Sequence, residues 1–174
     1  MGERDSDSGG RRSGEGESGH SSIPEAPLSA DELMRILPHR PPFFFLRQLL
    51  EWFPGRRALS EVEFDGTEDF FRGHFPGHPI VPGVILIEAA AQTAGLALAE
   101  DYSVAARPDS LPALAKVREF RFREPVLPRQ KLTIDAIVEN RFGTSGAVAV
   151  TVRRDTTKVA EGELLLALAV RRAP

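Results

Sequence analysis

The chain has 174 residues with a formal net charge of −3, and it contains no cysteine. That length suits one domain with a core of its own, with or without a tail, and the charge gives no global attraction to nucleic acid or to an anionic membrane. The missing thiols exclude disulfides, thiol nucleophiles and thiolate metal sites. The histidines are scattered without the spacing to other ligands that a zinc site needs, so no metal site is expected.

Residues 1–27 are rich in Gly, Ser, Glu, Asp and Arg and nearly devoid of large apolar side chains. Such a segment buries too little surface to offset its ordering entropy and is expected to be a disordered tail, followed by one domain over residues 28–174. It has no apolar run of the kind a secretory signal uses, and its acidic residues argue against a mitochondrial transit peptide, so a cytoplasmic protein is expected. Ser29 followed by Glu32 fits a capping box and predicts a short helix with Leu33, Ile36 and Leu37 on one face. Pro38 stops it, and Leu37 to Pro42 reads as a stiff connector.

Phe43 to Trp52 reads as a strand, Pro54-Gly55 as a turn, and Arg57 to Phe64 as the hairpin partner with Ala58, Ser60, Val62 and Phe64 on one face. Asp65 to Arg72 reads as a loop with room for one helical turn. The apolar run from Ile80 to Ala99 is broken by Pro82, Glu88 and Gln92, which suits a helix buried in a soluble protein better than a membrane span. It is expected to begin at about Pro82 and end near Glu100. Its alanine-rich middle lets a sheet approach from several sides, so the helix reads as wrapped. Strands follow over 113–123, 131–140, 147–154 and 159–171, two of them with clean alternation through Leu132, Ile134, Ala136 and Val138 and through Val148, Val150 and Val152. One long buried helix followed by antiparallel strands is an α+β domain.

The stretch from Gly73 to Gln92 carries the candidate chemistry: a loop with two histidines and three prolines, then a helix with a single carboxyl group. His74 is a side chain able to take up and release a proton near neutrality. Glu88 stands among Ile85, Ile87, Ala89 and Ala91, and burial there is expected to raise its pKa and keep it protonated as an acid. Gly83, at the first turn of the helix, offers an unpaired N–H with no side chain in the way, suited to an oxygen that gains negative charge. Taken singly, each has an ordinary structural reading: a hydrogen-bonded loop histidine, a solvent-facing glutamate, a helix start after proline. Glu88 lies roughly 9 Å along the helix, and sequence distance leaves open whether His74 meets it in one chain or from the second copy of a dimer.

Gly73-His74-Phe75-Pro76-Gly77-His78-Pro79, Pro82-Gly83-Val84 and Glu88-Ala89-Ala90-Ala91-Gln92 resemble the signature of the (3R)-hydroxyacyl-[acyl-carrier-protein] dehydratases of the FabZ type, with the same offset of 14 residues between base and acid. Leu37-Pro38-His39-Arg40 with Pro42-Phe43, and Phe122 to Pro128, resemble two flanking motifs, so the likeness runs from about Leu37 to the end of the chain. The resemblance implies a hot-dog fold, a curved antiparallel sheet around one long helix, working as dimers or trimers of dimers without metal or redox cofactor. It implies that water leaves a (3R)-3-hydroxyacyl thioester on an acyl carrier protein to give the trans-2-enoyl thioester. His74 would remove the proton beside the carbonyl, Glu88 of the partner subunit would protonate the departing hydroxyl, Gly83 N–H would bind the thioester oxygen, and Gln92, one turn from Glu88, would orient it.

The chain departs from the family pattern at Arg47-Gln48, where an Asp-Arg pair is common, and at Pro128-Arg129-Gln130, where Pro-Gly-Asp is common. No tyrosine stands just before Lys116, where many members carry a gating aromatic; the chain's single tyrosine, Tyr102, lies elsewhere. His39 and His78 read as structural and His20 as a solvated tail residue. Arg118, Arg121, Arg123, Arg129, Arg153 and Arg154 are candidates for a basic rim that docks the acidic carrier protein. Two rival readings are a hot-dog thioesterase, in which the same glutamate activates water, and a non-catalytic acyl-binding dimer.

Overall fold

A computed structural model describes residues 25–99, 110–143 and 145–170. Strand β1 (Leu28–Ser29) leads into helix α1 (Ala30–Ile36), which the hairpin β2 (Leu46–Phe53) and β3 (Arg57–Val62) follows. The short helix α2 (Phe70–Gly73) precedes the long helix α3 (Gly83–Leu98), and the chain closes with β4 (Ser110–Phe122), β5 (Leu132–Phe142), β6 (Ser145–Arg154) and β7 (Thr157–Val170). All pairings are antiparallel, and the seven strands form one sheet in the order β1-β2-β3-β5-β6-β7-β4. Residues 1–24 of the expected tail, His20 and Tyr102 lie outside the described residues.

The local signals produce what they predict. Ser29 Oγ accepts from the Glu32 N–H and the Glu32 carboxylate accepts from the Ser29 N–H, so the capping box closes and α1 buries Leu33, Ile36 and Leu37. The predicted inward faces are buried at Ala58, Ser60, Val62 and Phe64, at Leu132, Ile134 and Ala136, and at Val148, Val150 and Val152. Gly55 turns the β2–β3 hairpin with φ 71°.

Some strand boundaries differ by a few residues from the expectations, and one short strand is unexpected. β2 starts at Leu46 rather than Phe43, because the Phe43 carbonyl and the Phe45 N–H bond to the Gln92 side chain instead of a neighbouring strand. α3 starts at Gly83, with Pro82 as its N-cap in extended geometry at ψ 134°. The two-residue strand β1 carries no periodicity long enough to read, and it forms because Leu28 and Ser29 pair with Leu49 and Gln48. At Pro128-Arg129-Gln130, Arg129 itself takes the left-handed geometry, with φ 62°, and its N–H donates to the Phe64 carbonyl at 2.6 Å.

The sheet curves around α3. Ala89, Ala90, Ala94, Leu96 and Ala97 are fully buried, and the small side chains allow strands on several sides of the helix. Two polar residues of α3, Gln92 and Thr93, are as buried as its alanines and are hydrogen-bonded. Thr93 Oγ1 donates to the Ala89 carbonyl at 3.0 Å and so accepts from Ser60 Oγ on β3 at 2.6 Å. On the hairpin, Trp52 Nε1 donates to the Leu96 carbonyl at 2.9 Å.

Thr93→Val keeps the shape of the side chain and strands the Ser60 hydroxyl. The expected cost is about 1–3 kcal/mol, measured by urea unfolding, with Thr93→Val/Ser60→Ala recovering part of it. A single variant as stable as the parent would remove this hydrogen bond from the account of α3 packing.

Candidate active site

His74 follows α2 directly, and its N–H donates to the Phe70 carbonyl at 3.0 Å. The next residue, Phe75, turns the loop with φ 54°, a conformation costly for a bulky side chain, and Gly77 follows with φ 83°. His74 Nδ1 lies 3.0 Å from the Ile80 carbonyl. A carbonyl only accepts, so Nδ1 carries the proton and Nε2 is left with its lone pair. The loop thereby fixes the tautomer that a base requires. The half-buried imidazole lines an open groove of about 460 Å³ together with Ile80, Gly83, Val84, Phe122 and Val126.

Gly83 occupies the first position of α3, where an N–H has no intrahelical acceptor. A Cβ there would lie 2.7 Å from the Phe122 ring. The glycine therefore serves a contact that its sequence context does not reveal: the Phe122 ring of β4 lies over the helix start, in the space expected to be open to a substrate.

Glu88 lies on the face of α3 beside the connector that follows α1. Its Oε1 accepts from Gln92 Nε2 at 3.0 Å and lies 3.3 Å from His39 Nε2. Gln92 also donates to the Phe43 carbonyl at 2.9 Å and accepts from the Phe45 N–H at 3.1 Å, so one buried amide holds the connector and the carboxyl together. The expected contact between Gln92 and Glu88 is present. The expected pKa is not. The His39 imidazole hydrogen bond holds the Glu88 carboxyl below its ordinary value; burial opposes this, and the Gln92 amide adds to it. The carboxyl is partly exposed, at 21%, and it has a titratable neighbour that its helix sequence does not show. His39, which reads as structural from sequence, is the neighbour of this carboxyl that the helix sequence does not reveal. Its signal is the Leu37-Pro38-His39-Arg40 motif, but the contact spans 49 residues of sequence.

Among the described residues, His74 and Glu88 open onto different hollows. Glu88 lines a separate small cavity of about 40 Å³ with Leu37, His39, Gln92, Leu114 and Leu166. His78 is exposed, and its backbone N–H donates to the Phe75 carbonyl at 2.8 Å. The expected basic rim is largely neutralised: Arg118 pairs with Glu163, Arg121 with Glu119, Arg123 with Glu161 and Arg154 with Glu124. No helix among the described residues is long and apolar enough to cross a membrane.

Residues 37–163 match the family model described as a FabA-like domain. A 3-hydroxyacyl-[acyl-carrier-protein] dehydratase FabZ of Roseiflexus castenholzii is 38% identical over 145 residues, covering 83% of this chain and 99% of that relative. The enzyme of the same name from Syntrophomonas wolfei is 38% identical over 141 residues, covering 81% and 96%. Among solved structures, the dehydratase heterocomplex ApeI:P from Xenorhabdus doucetiae superposes with a TM-score of 0.66 at 19% identity, covering 79% of this chain and 90% of that one. A Pyrococcus horikoshii protein superposes with a TM-score of 0.57 at 22% identity, covering 83% and 95%. The structural likeness supports the hot-dog fold, and the sequence relatives give the thioesterase and non-catalytic readings no support. The chain belongs to the FabA-like family, among relatives named as 3-hydroxyacyl-[acyl-carrier-protein] dehydratases.

Proposed function

We propose that the protein removes water reversibly from a (3R)-3-hydroxyacyl thioester carried on an acyl carrier protein, giving the trans-2-enoyl thioester, with its two working side chains supplied by two copies of the chain. His74 Nε2 takes the proton beside the thioester carbonyl. The thioester oxygen gathers charge against the N–H of Gly83 at the positive end of α3. Glu88 of the partner subunit delivers a proton to the departing hydroxyl, and Gln92 holds that carboxyl in place. The proton removed from carbon ends on His74, the one given by Glu88 leaves in water, and the pair returns to its starting state by exchange with solvent.

The observation that carries this reading is the fixed tautomer of His74, whose Nδ1 is committed to the Ile80 carbonyl while Nε2 remains available. The division between two chains rests on the uncovered strand β4. It is an edge of the sheet, thirteen residues long, and it is exposed from Ala113 to Glu119, including the apolar Leu114 and Val117. A long edge with apolar side chains in water invites pairing with another strand. Phe75 and Val84, beside His74 and Gly83, are exposed as well, at 56% and 70%. A second copy paired along β4 would cover this surface and bring each His74 loop toward the other copy's α3. Such dimers, alone or grouped in threes, suit a protein that works in the cytoplasm on carrier-bound acyl chains.

His74→Ala and Glu88→Gln are each expected to lower kcat by at least about a hundredfold, with unchanged circular dichroism, in hydration of a short trans-2-enoyl thioester. Near-parental rates in both variants would overturn the assigned roles. Mixing the two inactive variants after partial unfolding and joint refolding is expected to restore activity. A mixed dimer would hold one site with both natural side chains. A mixture as inactive as its components, with mixed dimers shown by mass spectrometry, would place the site within one chain.

A further inference from the structure

Both polar contacts of the Glu88 carboxyl fall on one oxygen. Gln92 Nε2 and His39 Nε2 converge on Oε1, and Oε2 has no partner among the described residues. The two donors are held from different directions. Gln92 is fixed by the Phe43 and Phe45 backbone, and His39 by a connector that Arg40 ties down through the Leu37 and His39 carbonyls at 2.8 and 2.6 Å. His39 is three-quarters buried, and its Nδ1 has no partner. An unpaired buried nitrogen is costly, and among the described residues the polar contact of this ring is the one from Nε2 to Glu88.

We infer that His39 is a positioning residue for the acid of the reaction: its Nε2–H, with the Gln92 amide, grips Oε1 of Glu88 and leaves Oε2 as the atom that exchanges a proton with the substrate's hydroxyl. This rests on the role proposed for Glu88. Beside Glu88, the connector contributes Leu37 and His39, α3 contributes Ala91 and Gln92, β4 contributes Leu114 and β7 contributes Leu166. His39 is thus the titratable group facing the carboxyl among the described residues, and the proposed dimer adds His74 of the partner subunit.

The consequence is a defined pH signature. Dehydration starts with neutral His74 and protonated Glu88; hydration starts with the proton on His74 and Glu88 ionised. The two states hold the same number of protons, so kcat/KM in both directions follows one bell-shaped profile. Its acid limb is the uptake of a second proton by the pair. A donor to the carboxylate favours the ionised form, so removing that donor makes protonation easier and moves the acid limb to higher pH.

The experiment measures kcat/KM for hydration of a short trans-2-enoyl thioester across pH, in the full-length parent, His39→Leu and His39→Gln. His39→Leu removes the donor, and His39→Gln keeps a neutral N–H. The expected result is an acid limb displaced upward in His39→Leu, with a loss of about tenfold on the acid side and less than about threefold near the optimum, and a limb close to the parent's in His39→Gln. Where His39→Leu does not assemble, His39→Asn takes its place, since its shorter amide stops short of the carboxyl. A uniform loss at every pH with the limb unmoved would overturn the inference, as would an equal displacement in His39→Gln. Glu88→Gln is assayed alongside: if it stays active, the role of Glu88 itself is wrong, whereas an inactive Glu88→Gln with an unmoved His39→Leu limb removes only the role of His39.

Discussion

A helix enclosed by its own sheet has to pair every polar group it buries, and that constraint runs through this structure. α3 is surrounded closely because its middle is made of alanine, and water cannot reach Gln92 or Thr93. Each is therefore committed to a partner from another part of the chain. Thr93 ties β3 to the helix through Ser60, Trp52 of β2 donates to the Leu96 carbonyl, and Gln92 takes up backbone groups of Phe43 and Phe45. An unmet buried polar group costs more than a typical hydrogen bond adds. These contacts consequently fix where the hairpin and the connector sit relative to the helix.

The same constraint builds the chemistry. Gln92 uses its remaining N–H on Glu88, so the residue that anchors the connector also sets the position of the carboxyl. The connector brings His39 to that carboxyl. At the other end of the unit, the loop before α3 folds back so that the Ile80 carbonyl fixes the tautomer of His74. The two polar ends are each ordered in detail but open onto different hollows of one chain. The uncovered face of β4 and the exposed Phe75 and Val84 lie beside them. In the proposed dimer, site and subunit contact are parts of one surface.

Much of the fold was legible because the forces that decide it act over a few residues. A capping box needs residues three apart, an alternating strand needs its neighbours two apart, and a helix of small residues announces that something packs closely on it. The misjudged boundaries share another cause. Phe43 to Phe45 has strand-forming side chains, yet its backbone hydrogen bonds are taken by an amide 47 to 49 residues away. At Gly83 the ring of Phe122 lies over the helix start, a contact that no neighbour of Gly83 in the chain announces. Arg129 adopts a backbone geometry that favours glycine because the Phe64 carbonyl holds its N–H.

The helix that carries Glu88 and Gln92, the loop that presents His74, the inward faces of the strands and the family of these motifs are all legible in the order of residues alone. They are legible because spacing along the chain dictates which side chains share a face. The direction in which the carboxyl's pKa moves depends on contacts made through space. Burial alone would raise the Glu88 pKa, and the sequence around Glu88 shows only apolar neighbours. The hydrogen bond from His39 reverses that direction. The sign of an electrostatic shift depends on which donor arrives through space, and a donor folded in from another segment leaves no mark on the helix it meets.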